Sequence, residues 1–258
     1  MSSVGWDSDF SYSYFKKLLE TIKSNFELHL LSEAPKILKS TGTQKCIIRH
    51  DIDVSPERAV EMAKIENEMG IKSTYLVMTD SPLYSIEEKS TCDSVLQLID
   101  LGHEVGLHFD MSWAADKSRT NIELFENNVL TSSKKLKNVI GKPILSVSFH
   151  RPSESVLRGP IMVCGMVNAY AKELMTWYLS DSRGVWRMGE PINNILNKKF
   201  PLLNILVHPI WWGEVHKQRS ERLQDFFEAK TRYKSKEFSK DLADYIFKAV
   251  GEKRSGLK

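Results

Sequence analysis

The sequence predicts an α/β protein, a distorted (β/α) barrel of about seven parallel strands with a helical extension at its N-terminus. Three observations carry this expectation. From residue 45 onward, short apolar runs alternate with amphipathic stretches, a pattern that calls for crossover helices and a parallel sheet. About seven such runs follow one another, enough for a sheet to curl towards closure. No low-complexity linker or shift in composition divides them. Residues 41–258 therefore read as one barrel with C-terminal helices, and residues 1–40 as an extension packed on it.

In chain order, residues 8–38 read as helical, because "FKKLLETIKSNFELHLL" spaces its apolar residues at helical intervals with charges between them. "KCIIRHD" reads as the first strand of the barrel. "SPERAVEMAKIENEMG" follows as a helix, with Ser55 as N-cap, Pro56 at the first helical position and Gly70 as the stop. Next come the strand "KSTYLVMT", a helix around "CDSVLQLIDLG" and the strand "HEVGLHFD". A longer helix, "TNIELFENNVLTSSKKLKNVIG", precedes the strand "ILSVSFHRP". "VNAYA", "WYLSDS" and "LNILVHP" read as further short strands.

Bulk properties narrow the function classes. A chain of 258 residues, 41% hydrophobic and 27% charged, is long enough to bury a core without staples. A net charge of +3 gives no case for nucleic acid. The basic stretches "HKQRSERLQ" and "KTRYKSK" are mixed with acids and read as solvated helix faces. The three cysteines, Cys46, Cys92 and Cys164, are odd in number and widely spaced, against a disulfide framework or a Cys-x-x-Cys metal site. The N-terminus lacks the cationic and apolar regions of a secretory signal. No apolar run approaches the ~20 residues that span a bilayer. A cytoplasmic protein without membrane insertion is the expectation.

Catalytic groups in parallel α/β folds sit at the C-terminal ends of the strands. This sequence places Asp51 and Asp53 at the first such end, His108 and Asp110 at the third, and His150 and Arg151 at the fourth. Asp181 and His208 end later strands. Side chains alternate faces along a strand, so Asp51 and Asp53 share a face while His50 points away. His108 and Asp110 share a face by the same rule, and His103 falls on the other side as a structural residue.

A lone Asp-x-Asp pair often just ends a strand or caps a helix. Carboxylates and imidazoles at several strand ends, however, converge if the sheet closes, and unpaired buried charge is costly. Such a mixed nitrogen and oxygen set suits zinc or a similar divalent ion. A second carboxylate could then take a proton from water, and a histidine opposite could protonate a leaving group. An Asp-x-Asp phosphatase, with Asp51 as nucleophile on a doubly wound sheet, is a rival reading. It has no use for His108, His150 and His208.

At these residues the chain resembles the polysaccharide deacetylases, carbohydrate esterase family 4, in the branch whose first motif reads His-Asp-x-Asp. "RHDID" (49–53) stands at the paired-aspartate motif and "GHEVGLHFD" (102–110) at the strand bearing the first metal histidine. "SFHRPS" (148–153) matches the Arg-Pro motif, "YLSDSRGVWR" (178–187) a later Asp- and Trp-containing segment, and "LVHPIWW" (206–212) the final Leu-x-His-Pro strand. The resemblance implies a barrel of about seven strands and a metal-dependent hydrolase acting on an acetylated sugar or glycan precursor. It implies Asp51 as general base, His208 as general acid, Arg151 holding the catalytic carboxylate, and Asp53 and His108 as metal ligands. Asp181, Trp186, Arg187 and Trp211 are the corresponding substrate-binding candidates, with Trp212 a further apolar wall. The family's second metal histidine would fall at position 112, which is serine here. His150 is the preferred replacement and Asp110 the second candidate. A sugar-binding relative without metal is the other outcome that this departure leaves open.

Overall fold

The computed structural model describes residues 5–111, 121–154, 156–197 and 200–231, without the side chains of 230 and 231. Ser112 lies outside the described residues, as does the chain beyond 231 with most of the basic stretch 230–236. The sheet is a half-barrel. Seven strands run mutually parallel in the order β7 (Met166–Asn168), β5 (Ser146–His150), β4 (Glu104–Asp110), β3 (Thr74–Val77), β2 (Lys45–Ile52), β9 (Leu202–Val207) and β8 (Tyr178–Ser180). The short strand β6 (Met162–Val163) adds antiparallel to β7.

From β5 through β2, neighbours in space follow sequence order, and the row does not reverse as in a doubly wound sheet. The fold the phosphatase reading requires is therefore absent. No ladder joins β7 to β8 among the described residues. Instead the Asn204 side-chain amide of β9 donates to the carbonyls of Ala169 and Leu174, both at 3.3 Å, and draws the segment after β7 across the gap.

The helices follow their capping signals. In α3 (Pro56–Glu68) the Ser55 hydroxyl accepts from Arg58 N at 3.3 Å, and Gly70 ends the turn at φ 68°. In α5 (Ile122–Ile140) the Asn121 side chain accepts from Leu124 N at 3.0 Å and Gly141 closes the helix at φ 69°. The helix α4 (Lys89–Asp100) crosses between β3 and β4, and α6 (Pro191–Asn197) and α7 (Arg219–Thr231) flank the last strands.

The N-terminal segment departs from an all-helical reading. Helix α1 (Tyr12–Asn25) lies outside the sheet, with Phe15 packed 5.1 Å from Trp212 between ring centroids. Then Glu27–His29 forms a strand, β1, paired parallel to the first half of β2. After it, a 3-10 turn and α2 (Ala34–Ile37) put Leu31, Ala34 and Ile37 among Ile47, Leu76, Val167 and Leu202. These residues seal the floor of the barrel. Glu104 anchors them, accepting from the backbone and hydroxyl of Ser32, from Thr74 Oγ1 and from Ser146 Oγ. A run of three residues such as "ELH" carries too little periodicity to be read as a strand.

Gly106 stands at an inward position of β4, where a Cβ would lie 2.3 Å from Ser146 Oγ and 2.8 Å from its carbonyl oxygen. Because part of that clash is with backbone, Gly106→Ala is expected to lower stability by about 1–3 kcal/mol. Urea denaturation would check it.

Candidate metal and acid–base site

Strand alternation sorts β2 into two faces. Ile47, Arg49 and Asp51 point into the barrel, while His50 faces α3 and bonds Glu66 through Nε2 at 2.8 Å. Just beyond the strand end, Asp53 reaches the rim. Its Oδ1 lies 2.9 Å from His108 Nε2 and 3.3 Å from His150 Nδ1. Asp53, His108 and His150 each offer a ligand atom, and these atoms all lie within 4.8 Å of one another. The parallel register sets this up, since His108 pairs with Ser148 and Asp110 with His150 across β4 and β5.

Several of these atoms lack a bonding partner. Buried Asp53 Oδ1 and His108 Nε2 are both without a satisfied hydrogen bond, and His150 brings Nδ1 to the same carboxylate oxygen. Poorly satisfied buried polar atoms gathered at one point fit a divalent cation of the kind that mixed His and Asp donors bind. The far side of His108 supports this fit. Its Nδ1 lies 2.6 Å from Ser148 Oγ, and that hydroxyl donates onward to Asp51 Oδ1 at 3.2 Å. The relay leaves Nδ1 as donor and Nε2 with the lone pair that a metal needs.

Burial pushes the Asp53 carboxyl up, but the imidazoles of His150 and His108 outweigh it and hold it well below the usual range. Burial likewise pushes His150 down, and the Asp53 carboxylate reverses the sign and raises it.

Asp51 is fully buried and has a cation of its own. Arg49 Nη1 stands 3.3 Å from Oδ1 and 3.4 Å from Oδ2. The guanidinium, also fully buried, lies 4.4 Å from the Tyr170 ring centre and 5.9 Å from that of Tyr178. Its Nε and Nη2 bond nothing, so the aromatic faces are their surroundings. The guanidinium that the structure sets beside Asp51 is thus that of Arg49. Arg151 is exposed on the cavity wall at φ 51°, because the chain turns out of the strand directly after His150. Only one of those two neighbours faces Asp53, and it is His150.

His208 follows β9 and brings Nε2 to 3.9 Å from Asp53 Oδ2. Asp181 accepts from its backbone N–H at 3.0 and 3.1 Å and pairs with Nδ1 at 2.7 Å, while Trp212 Nε1 donates to the same carboxylate at 2.9 Å. Burial pushes His208 down, but Asp181 and then Asp53 carry it up to about 9. Asp181 is therefore committed behind His208 and does not line the cavity. Trp186 does not line it either. It is buried beside the N-terminal segment, its backbone paired with Trp6. Arg187 and Trp211 do line the cavity, with Asp51, Asp53, His108, His150 and His208. The volume enclosed is about 480 Å³.

Arg49, Ser148, Tyr170 and Tyr178 were not singled out from sequence. Arg49 had a signal, since period-two alternation puts it on the face of Asp51. The others meet the site only through strand register and closure.

No family model and no curated protein matches the chain. Among solved structures, it is similar to a CE4 family pseudoenzyme from Bacillus anthracis, at 11% identity and a TM-score of 0.41. That match covers 71% of this chain, which spans only 59% of the pseudoenzyme's length. It is similar to a family 4 carbohydrate esterase from Bacillus anthracis at 17% identity, with 95% and 96% of the two chains covered and a TM-score of 0.44. A polysaccharide deacetylase from Bacillus cereus gives 15% identity, coverage of 72% and 87%, and a TM-score of 0.44. The solved structures to which this chain is similar thus include members of carbohydrate esterase family 4, the family its motifs resemble.

Proposed function

We propose that the cavity is the active site of a metal-dependent deacetylase, which removes an acetyl or related acyl group from an amino sugar or glycan precursor. The observation that carries this reading is the convergence of Asp53, His108 and His150, with Asp53 Oδ1 and His108 Nε2 buried and unsatisfied, beside a separate carboxylate and a separate imidazole. Asp53, His108 and His150 would hold the divalent ion, zinc by the donor set. When bound, it supplies Lewis acidity to polarise the acyl carbonyl and acidify water.

The remaining residues divide the proton work. Asp51 takes the proton of the attacking water as general base. Arg49 fixes its orientation and balances its charge inside the barrel. His208, oriented by Asp181, protonates the departing nitrogen or oxygen. Two groups with opposite proton duties lining one cavity are what amide or ester hydrolysis needs. Binding alone uses neither. Trp211 and Arg187 line the space for the sugar.

Elemental analysis of protein purified without chelator, beside His150→Ala, tests the reading. The expected result is a near-stoichiometric divalent ion in the native protein and at least a tenfold weaker hold in the variant. Retention of the ion by His150→Ala would move the third ligand to Asp110. No ion after reconstitution would overturn the hydrolase reading and leave a sugar-binding protein.

A further inference from the structure

The wall of the cavity above the acid–base groups is cationic. Arg151, Arg183 and Arg187 all line it and all are exposed. Among the described lining residues the carboxylates are Asp51 and Asp53, and both are committed. Asp51 sits against Arg49, and Asp53 against the two imidazoles. Neither carboxylate pairs with Arg183 or Arg187.

Two of these arginines also hold unusual backbone. Arg151 has φ 51° and Arg183 φ 63°, in the left-handed region that L side chains rarely adopt. Such conformations persist where the surroundings impose them, and they concentrate at ligand sites. The turn bearing Arg183 is fixed from both sides. Gly184 N donates to the Asp181 carbonyl at 2.8 Å, and Arg219 Nη1 to the carbonyl of Arg183 at 3.2 Å. Ser182, just before it, lines the cavity as well and shares a 2.6 Å hydrogen bond with Ser180. Guanidinium groups match phosphate and carboxylate oxygens in pairs, with a geometry that a neutral sugar hydroxyl cannot reproduce.

We infer that the substrate is an anionic sugar, bearing a phosphate or a carboxylate that is bound by Arg183 and Arg187 on the wall above the acid–base groups. The inference rests on the deacetylase reading for its acetylated sugar, and it adds the charge. The arginines act as specificity residues. They place the acyl group of a charged sugar over Asp51 and His208 and leave neutral sugars poorly held.

The experiment is calorimetric titration of the full chain, loaded with zinc, using three probes: N-acetylglucosamine, its 1-phosphate, and N-acetylmuramic acid. At least one anionic probe is expected to bind about 10- to 100-fold more tightly than the neutral sugar, with a preference that shrinks as salt is added. A preference for the phosphate alone assigns a sugar phosphate, and for the carboxylate alone a sugar acid. The double variant Arg183→Gln/Arg187→Gln is expected to lose the preference while keeping its thermal midpoint, and Arg183→Lys/Arg187→Lys to recover part of it. Equal binding of all three probes overturns the inference. So does a preference that survives the glutamine variant, which would place the anion on the metal ligands instead. Acetate release from the same probes is read separately. Charge preference without acetate release rejects the hydrolase reading and leaves the anion site standing.

Discussion

Asp51→Asn is expected to lower kcat for acetate release by about 10²–10⁴-fold, the usual contribution of a positioned general base, while the divalent-ion content stays at the native level. The substitution keeps the volume and one oxygen of the side chain, so the Ser148 hydroxyl, 3.2 Å away, keeps an acceptor. What is lost is the proton acceptor and the negative charge beside Arg49. The second loss has its own signature. Arg49 is fully buried and its Nη1 stands beside Asp51, so an unbalanced guanidinium is left in the barrel. Removing one partner of a buried pair costs about 3–5 kcal/mol, and the variant should unfold earlier in denaturant although its ion is held by other residues. Kinetics are therefore measured well below its unfolding midpoint. Activity within tenfold of native would remove Asp51 from the base role. Loss of the ion would make it a ligand.

Glu66→Gln is expected to destabilise the protein by about 1–3 kcal/mol without touching the cavity. Glu66 lies on α3 with no exposure, accepting from Tyr75 OH at 2.7 Å and pairing with His50 Nε2 at 2.8 Å, with His103 Nδ1 at 3.7 Å. His50 stacks on Tyr75 with ring centres 4.2 Å apart. A glutamine offers one acceptor and one donor group where both neighbours approach as donors, so one contact becomes donor against donor. Equilibrium unfolding in urea measures the loss, and a change under 1 kcal/mol would show that the cluster is not coupled.

The same cluster gives a pH dependence. Burial pushes Glu66 up, but His50 and His103 outweigh it and hold it below its ordinary value. A depressed carboxyl contributes stability above its unfolded pKa and loses it as pH falls through the folded one. His103 is depressed too, burial being the leading cause, so its neutral form is favoured and stability falls once pH drops below about 6.5. Both signs agree. Native stability should decline on acidification from about pH 6.5, and Glu66→Gln should flatten the lower part of that decline.

Where period-two alternation applied, the sequence was legible in detail. It separated Asp51 and Asp53 from His50, and His108 from His103, and the structure places His50 and His103 together on the far face with Glu66. Capping signals located α3 for the same reason, since Ser55 and Gly70 act within a few residues. What escaped depends on contacts between distant segments. Ser148 reaches His108 through strand register, and Tyr170 and Tyr178 reach Arg49 because the segment after β7 crosses the gap to β9. Asp181 is a substrate-binding candidate by the resemblance, and its pairing with His208 becomes visible only in the structure. Arg49 shares the face of Asp51 by the same alternation, but that a guanidinium is buried there depends on Tyr170 and Tyr178 closing over it.

Placing that guanidinium two residues from Asp51 has a consequence for how the molecule tolerates change. Base and counter-charge are carried by one strand that is hydrogen-bonded along both edges, so their mutual geometry is set by covalent spacing and the pleat. An anchor supplied from the turn after β5 would instead move whenever that turn moved. Here the loops above the barrel can be rebuilt, lengthened or exchanged without loosening the pair beneath them. The loops that line the cavity and the strand that holds Asp51 against Arg49 are mechanically insulated from each other.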